Sequence, residues 1–240
     1  MTRQLALDLP VTEACGREDF LVAASNAAAV AALDDWRTWP AGKLVLIGPD
    51  GSGKTHLARI WAAAAGAAVL PAQALPAADL PALAATGAVA VEDADSLPPD
   101  GSAERPLLHL HNLLAQTGGS LLVTARTPPR DWPVALPDLA SRMQATVSVR
   151  LEPPDDALLA AVLVKQFADR QITVAPEVIS HAVARMERSL AAARRLAAEL
   201  DALALAEGRA VTRGLVTRLL TESDRDSTDK PLDGAPQPKA

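Results

Sequence analysis

Between residues 43 and 149 short apolar runs alternate with longer stretches in which apolar residues recur at helical spacing. Lys43–Ile47, Ala67–Leu70, Gly87–Val91, Ser120–Thr124 and Thr146–Val149 read as buried strands. Asn26–Trp36, Thr55–Ala65, Ala103–Gln116 and Leu136–Met143 read as the helices between them. Alternation of this kind predicts the α/β class, a mainly parallel sheet flanked by helices on both faces. After Pro153-Pro154 the strands stop. Asp155–Arg170, Pro176–Glu187, Ser189–Glu207 and Thr212–Thr221 then predict four helices, with Thr212 the N-cap of the last. The pattern divides the chain into an α/β domain over residues 17–151 and a small all-helical domain over 152–221. Residues 1–16 are expected to form a flexible arm. Residues 222–240 are expected to form a disordered tail, because charges and prolines surround a single large aliphatic residue there.

Composition narrows the function classes. Apolar residues make up 49% of the 240 positions, yet only 2% are aromatic, and alanine supplies much of the rest. Alanine favours helix and buries little area, which suits a largely helical mass around a small sheet. The net charge of −6 argues against a protein whose main task is gripping duplex DNA. Cys15 is the single cysteine, so a reducing compartment is expected. No apolar run reaches the ~18 residues of a membrane helix, and Asp8 interrupts any signal-like core. These features predict a soluble cytoplasmic protein with no membrane partner.

The sharpest chemical signal is Gly48-Pro-Asp-Gly51-Ser52-Gly53-Lys54-Thr55, a full match to GxxxxGK[ST] between an apolar strand and a helix. Glycines let the backbone curl round a polyphosphate with its N–H groups inward. Lys54 would reach the β- and γ-phosphates, and Thr55 would offer its hydroxyl to Mg²⁺. The plain alternative is a glycine-rich turn joining strand to helix. A second carboxylate site is expected at a later strand end, where Glu92-Asp93 follow Gly87–Val91; Glu92 would approach the metal, and the alternative is an acidic loop. The histidines give no metal site: His109 and His111 diverge on their predicted helix, and His56 and His181 have no evident ligand partners.

Three segments together carry a family resemblance. Asp19-Phe-Leu-Val-Ala-Ala-Ser25-Asn26, GPDGSGKTHL, and Leu136-Pro-Asp-Leu-Ala-Ser-Arg142 resemble those of the bacterial replication initiator DnaA and of its short relatives, the Hda regulators that inactivate DnaA. The similarity spans about residues 17–220 and implies a P-loop AAA+ module with a helical lid. The histidine- and threonine-rich signature of DnaA's DNA-reading domain is not found, which favours the short relatives. In them a glutamine-leucine peptide binds the DNA polymerase III sliding clamp (its β subunit), and Gln4-Leu5-Ala6-Leu7-Asp8-Leu9 is similar. Gln4 can hydrogen-bond in both senses while Leu5, Leu7 and Leu9 fill an apolar groove; an edge strand is the alternative.

The resemblance also implies roles for single residues. Arg142 matches an arginine finger inserted toward a neighbour's nucleotide, against a surface pair with Asp138 four residues earlier. Arg188 matches the lid's second sensor, against a solvated basic face with Arg185, Arg194 and Arg195. Asn26 matches a segment near the adenine. Two positions depart from the family: Glu92 replaces its usual aspartate at the metal, and Arg126 replaces its sensor aspartate in Thr124-Ala125-Arg126-Thr127. Both favour holding ADP or ATP over turning it over. The implied function is regulation, with DnaA and the clamp as partners, DNA reached through the clamp at the nucleoid, and a homo-oligomer allowed. Its rivals are an initiation activator or helicase-loader ATPase on single-stranded origin DNA, and a small-molecule kinase.

Overall fold

The computed structural model describes residues 20–98 and 100–228. Its first part contains α1 (Ala27–Asp34), β1 (Lys43–Ile47), α2 (Lys54–Ala65), β2 (Ala68–Pro71), α3 (Leu80–Ala85), β3 (Ala88–Glu92), α4 (Glu104–Thr117), β4 (Ser120–Ala125), α5 (Pro137–Ala145) and β5 (Ser148–Arg150). The strands form one parallel sheet in the order β2-β3-β4-β1-β5. This is the AAA+ P-loop fold. β1 reads KLVLI and is buried at all five positions, as a strand with neighbours on both sides and helices on both faces must be. From β1 the chain crosses β4 and β3 to reach β2, while β5 lies on the other side of β1. The order thus reverses at β1, and in open α/β sheets ligands bind where the strands end at such a reversal.

Each face of the sheet has its own core. Leu107, Leu110 and Leu114 of α4 with Leu139 and Met143 of α5 pack on one face against Val45, Val89 and Val123. Leu57 and Trp61 of α2 with Val30 and Leu33 of α1 pack on the other, against Leu44, Leu46 and Leu122. The second part is helical: α6 (Asp156–Asp169), α7 (Pro176–Val183), α8 (Leu190–Glu207) and α9 (Arg213–Thr228). Its separate core joins Leu159, Leu163 and Phe167 to Leu196, Leu200 and Leu215. Thr212 caps α9 as expected, its hydroxyl accepting from Leu215 N–H at 3.3 Å.

The differences from expectation have local causes. Six-residue α3 was not foreseen, because Pro81 breaks the apolar pattern; its signal was Asp79, whose carboxylate caps the Ala82 N–H at 3.0 Å. α7 ends at Val183, before the expected Glu187, and α9 runs to Thr228, past the expected limit at residue 221. The tail was therefore misread up to residue 228. The expected arm, with Gln4, Leu5, Leu7 and Leu9, lies outside the described residues. Among the described residues no helix is long and apolar enough to cross a membrane.

Candidate functional site

The loop from Gly48 to Gly53 leaves the C-terminal end of β1 and enters α2 at Lys54. Gly53 takes the left-handed conformation at the helix entrance, and α2 has no side-chain cap. The N–H groups of its first turn are therefore left for a ligand, and the helix dipole makes an anion the favoured one. Ser52 stiffens the loop by donating its hydroxyl to Pro49 O at 2.8 Å. Lys54 is buried, its ammonium donating to Gly48 O at 2.7 Å and Pro49 O at 3.0 Å. Burial lowers its pKa, with Arg126 adding to that, while the carboxylates of Asp50, Asp93 and Asp95 oppose it. A polyphosphate would relieve the desolvation that Lys54 suffers in the loop.

Two cavities open along this loop. One of about 300 Å³ is lined by Asp50, Gly51, Gly53, Lys54, Thr55, Arg59, Asp93 and the lid residue Arg194. The other, of about 380 Å³, is more apolar and lies between Phe20, Leu21 and the lid residues Leu158 and Val162. His56, Leu190 and Arg194 line both, so the two form one cleft with a charged end and an apolar end. Phe20 and His56 stack, with ring centroids 5.4 Å apart. His56, which shows no metal-ligand partner in the sequence, thus stands at the junction. Such a cleft has the shape and polarity of a nucleotide, phosphates at one end and base at the other.

Asn26 does not line this cleft. Its side chain is buried, accepts from Ala23 N–H at 2.8 Å and donates to Leu21 O at 2.9 Å. Through these bonds Asn26 shapes the turn that presents Phe20 and Leu21 to the apolar end of the cleft. Arg188 is not among the cavity residues either. Its guanidinium reaches Asp156 at 2.5 Å and Pro154 O at 3.2 Å, tying the start of α6 to the start of α8. Three lid arginines line the cleft, Arg170, Arg194 and Arg195, and Arg194 is the one that also borders its charged end. One turn and a half into α8, it faces the cleft because α8 enters over the loop. Leu190 N–H donates to Gly51 O at 2.9 Å, so the lid touches the P-loop directly.

At the end of β3 the two acidic residues separate. Asp93, in the left-handed conformation with φ 56°, lines the charged cavity, and its N–H donates to Thr124 Oγ1 at 3.1 Å. Glu92 is half-buried, and its Oε1 is buried with no hydrogen-bond partner. A hard cation would satisfy that oxygen. Arg126 is engaged by the buried Asp95 carboxylate, which accepts from its backbone N–H at 3.0 Å and its Nε at 3.3 Å. Its guanidinium also lies 3.8 Å from Asp50 of the loop. Among the described residues no group of His, Cys, Asp and Glu makes a metal cluster.

Arg142 lies elsewhere. It is exposed near the C-terminal end of α5, and its charge, with burial the larger cause, lowers the pKa of Lys43 at the start of β1. That is the end of β1 away from the P-loop. Among the described residues Arg142 has no ion pair, so the expected alternative of a pair with Asp138 does not form. His111 of α4 is nearby and buried; burial lowers its pKa, the Asn112 bond opposes this, and Lys43 and Arg142 lower it further. His111 is thus neutral when folded, and the unfolded chain takes up its proton first as pH falls. Stability present above the ordinary histidine pKa of 6.5 is lost below it. Urea unfolding of the wild type should weaken from pH 6.5 to 5 by up to ~1.4 kcal/mol per pH unit, and His111→Gln should flatten that slope.

A parallel sheet with this strand order, a P-loop on β1 and a helical lid over it together define the AAA+ P-loop fold. The structure is similar to domain III of the replication initiation protein DnaA from Thermotoga maritima, with a TM-score of 0.74 at 19% identity over 89% of this chain and 98% of that one. It is also similar to AMPPCP-bound DnaA from Aquifex aeolicus, with a TM-score of 0.65 at 18% identity over 88% of this chain and 69% of that one. In sequence the chain is 22% identical over 134 residues to the chromosomal replication initiator protein DnaA of Thermomicrobium roseum. That match takes in 56% of this chain and 29% of the relative's length. No family model matches the chain.

Proposed function

We propose that this chain is an adenine-nucleotide-binding regulator of replication initiation, of the Hda type, that makes DnaA hydrolyse its ATP and so inactivates it. The observation that carries the reading is the place of Arg142. Lys43, whose pKa its charge depresses, starts β1, and the P-loop begins where β1 ends at Ile47. A strand rises ~3.3 Å per residue, so the two ends of β1 stand about 13 Å apart. Arg142 therefore cannot serve the chain's own cleft. An exposed arginine with no carboxylate partner, on a module whose relatives bind nucleotide, suits the nucleotide of a neighbour.

The chain's own cleft would hold ADP or ATP, the phosphates on Gly51, Ser52, Gly53 and Lys54 and the base beside Phe20 and His56. Thr55 and the unpartnered Glu92 oxygen would hold Mg²⁺, which when bound supplies positive charge to the phosphates. Tight engagement of Arg126 by Asp95 in the place of the sensor aspartate supports a site that holds nucleotide rather than turning it over. Gln4, Leu5, Leu7 and Leu9 would bring the module to DNA by docking on the sliding clamp. The test is hydrolysis by ATP-loaded DnaA, measured with and without this chain and with and without DNA-loaded clamp. Stimulation that needs both supports the reading; no stimulation removes it. Ala at Gln4 and Leu5 together should abolish clamp pull-down while ADP binding in calorimetry is unchanged.

A further inference from the structure

α5, the helix that carries Arg142, starts without a cap of its own. Its N-cap residue is Leu136, which has no side chain able to accept a hydrogen bond, and Pro137 follows. The N–H groups just before the helix would be orphaned in a partly buried turn. They are instead satisfied from a distance. Glu104, the first residue of α4, accepts from Ala135 N–H at 3.0 Å with one carboxylate oxygen and from Leu136 N–H at 2.7 Å with the other. Glu104 is only 6% exposed. A carboxylate so deeply buried is costly to keep, and both its oxygens are used on one helix entrance. The negative charge also stands at the positive end of the α5 dipole.

We propose that Glu104 is the positioning residue of the arginine finger: it fixes the N-terminal end of α5 and thereby the direction in which Arg142 is presented. The inference rests on the reading of Arg142 given above. Leu139 and Met143 seat one face of α5 in the core. Glu104 holds the entrance of the helix, and Arg142 stands in the last turn at its opposite end. A misplacement of about 1 Å at a reacting centre lowers a rate by ~10²-fold.

The experiment compares the full chain with Glu104→Gln, Glu104→Asp and Arg142→Ala, using ATP-loaded DnaA and DNA-loaded clamp. Glu104→Gln should lower the maximal stimulated hydrolysis rate by roughly 10- to 100-fold. The concentration giving half-maximal stimulation and the affinity for ADP should stay as in the wild type. Glu104→Asp keeps the charge and both acceptors on a shorter stem; it should fall between the two and serves as the second variant should the glutamine not fold. Hydrogen exchange should quicken at Ala135, Leu136 and the first turn of α5, with β1 and α2 unchanged. A full rate in Glu104→Gln beside a lost rate in Arg142→Ala overturns this proposal alone, as does a parallel fall in ADP affinity. A full rate in Arg142→Ala overturns the finger reading, and the present one with it.

Discussion

Arg142→Ala should reduce stimulated hydrolysis by ATP-loaded DnaA by about 10³- to 10⁵-fold, the range an arginine finger contributes, while leaving ADP binding and clamp binding at wild-type strength. That range corresponds to roughly 4–7 kcal/mol of transition-state stabilisation. The separation of effects follows from the geometry: Arg142 stands at the end of the sheet away from the chain's own P-loop, beside Lys43. Its removal leaves no carboxylate stranded, since it has no ion pair among the described residues, so stability should change little. Arg142→Lys should rescue only partly. An ammonium matches the charge but not the planar fork that spans two phosphate oxygens. Stimulation that survives Arg142→Ala would end the regulatory reading.

The fold was legible because its signals are periodic and local. KLVLI followed by GPDGSGKT predicts a buried strand, an anion loop and a helix, and β1 occupies the stretch foreseen. α3 was not legible, since a six-residue helix with Pro81 in its first turn carries no stripe and betrays itself only through Asp79. The site was legible in part. The loop residues form the charged end of the cleft, and Asp93 joins them, but motif matching could not tell which lid arginine turns inward. The resemblance pointed to Arg188, whereas Arg194 borders the charged end; that placement depends on how α8 meets Gly51, a contact between residues far apart in the chain. The surroundings of Asn26 were not legible for a related reason. A buried asparagine amide competes for the nearest backbone, and Leu21 O and Ala23 N–H are three to five residues away. Glu104 carried no sequence signal at all, because its partners are backbone groups 31 and 32 residues downstream.

The same reasoning separates two loops whose glycines look interchangeable in sequence. Gly51 and Gly66 are both left-handed, with φ of 71° and 66°. At Gly66 an added Cβ would meet nothing within 4 Å, whereas at Gly51 it would lie 2.3 Å from Ser189 Cβ and 2.9 Å from Ser189 Oγ. Ser189 cannot yield. It is 3% exposed and caps α8, its hydroxyl accepting from Ala192 N–H at 3.0 Å. Gly66→Ala should therefore cost only the backbone term, about 1–2 kcal/mol. Gly51→Ala should cost that and a further ~1–3 kcal/mol of overpacking, or the lid must lift and give up the Leu190 N–H to Gly51 O bond. At ~2–4 °C per kcal/mol for a chain of this size, Gly51→Ala should melt several degrees below Gly66→Ala. The sharper contrast is in binding: displacement of α8 moves Arg194 and Leu190 away from the cleft they line. ADP affinity in Gly51→Ala should fall by at least ~10-fold, about 1.4 kcal/mol, with Gly66→Ala close to wild type. Equal melting temperatures and equal ADP affinities for the two variants would mean that the lid does not rest on the phosphate loop in solution.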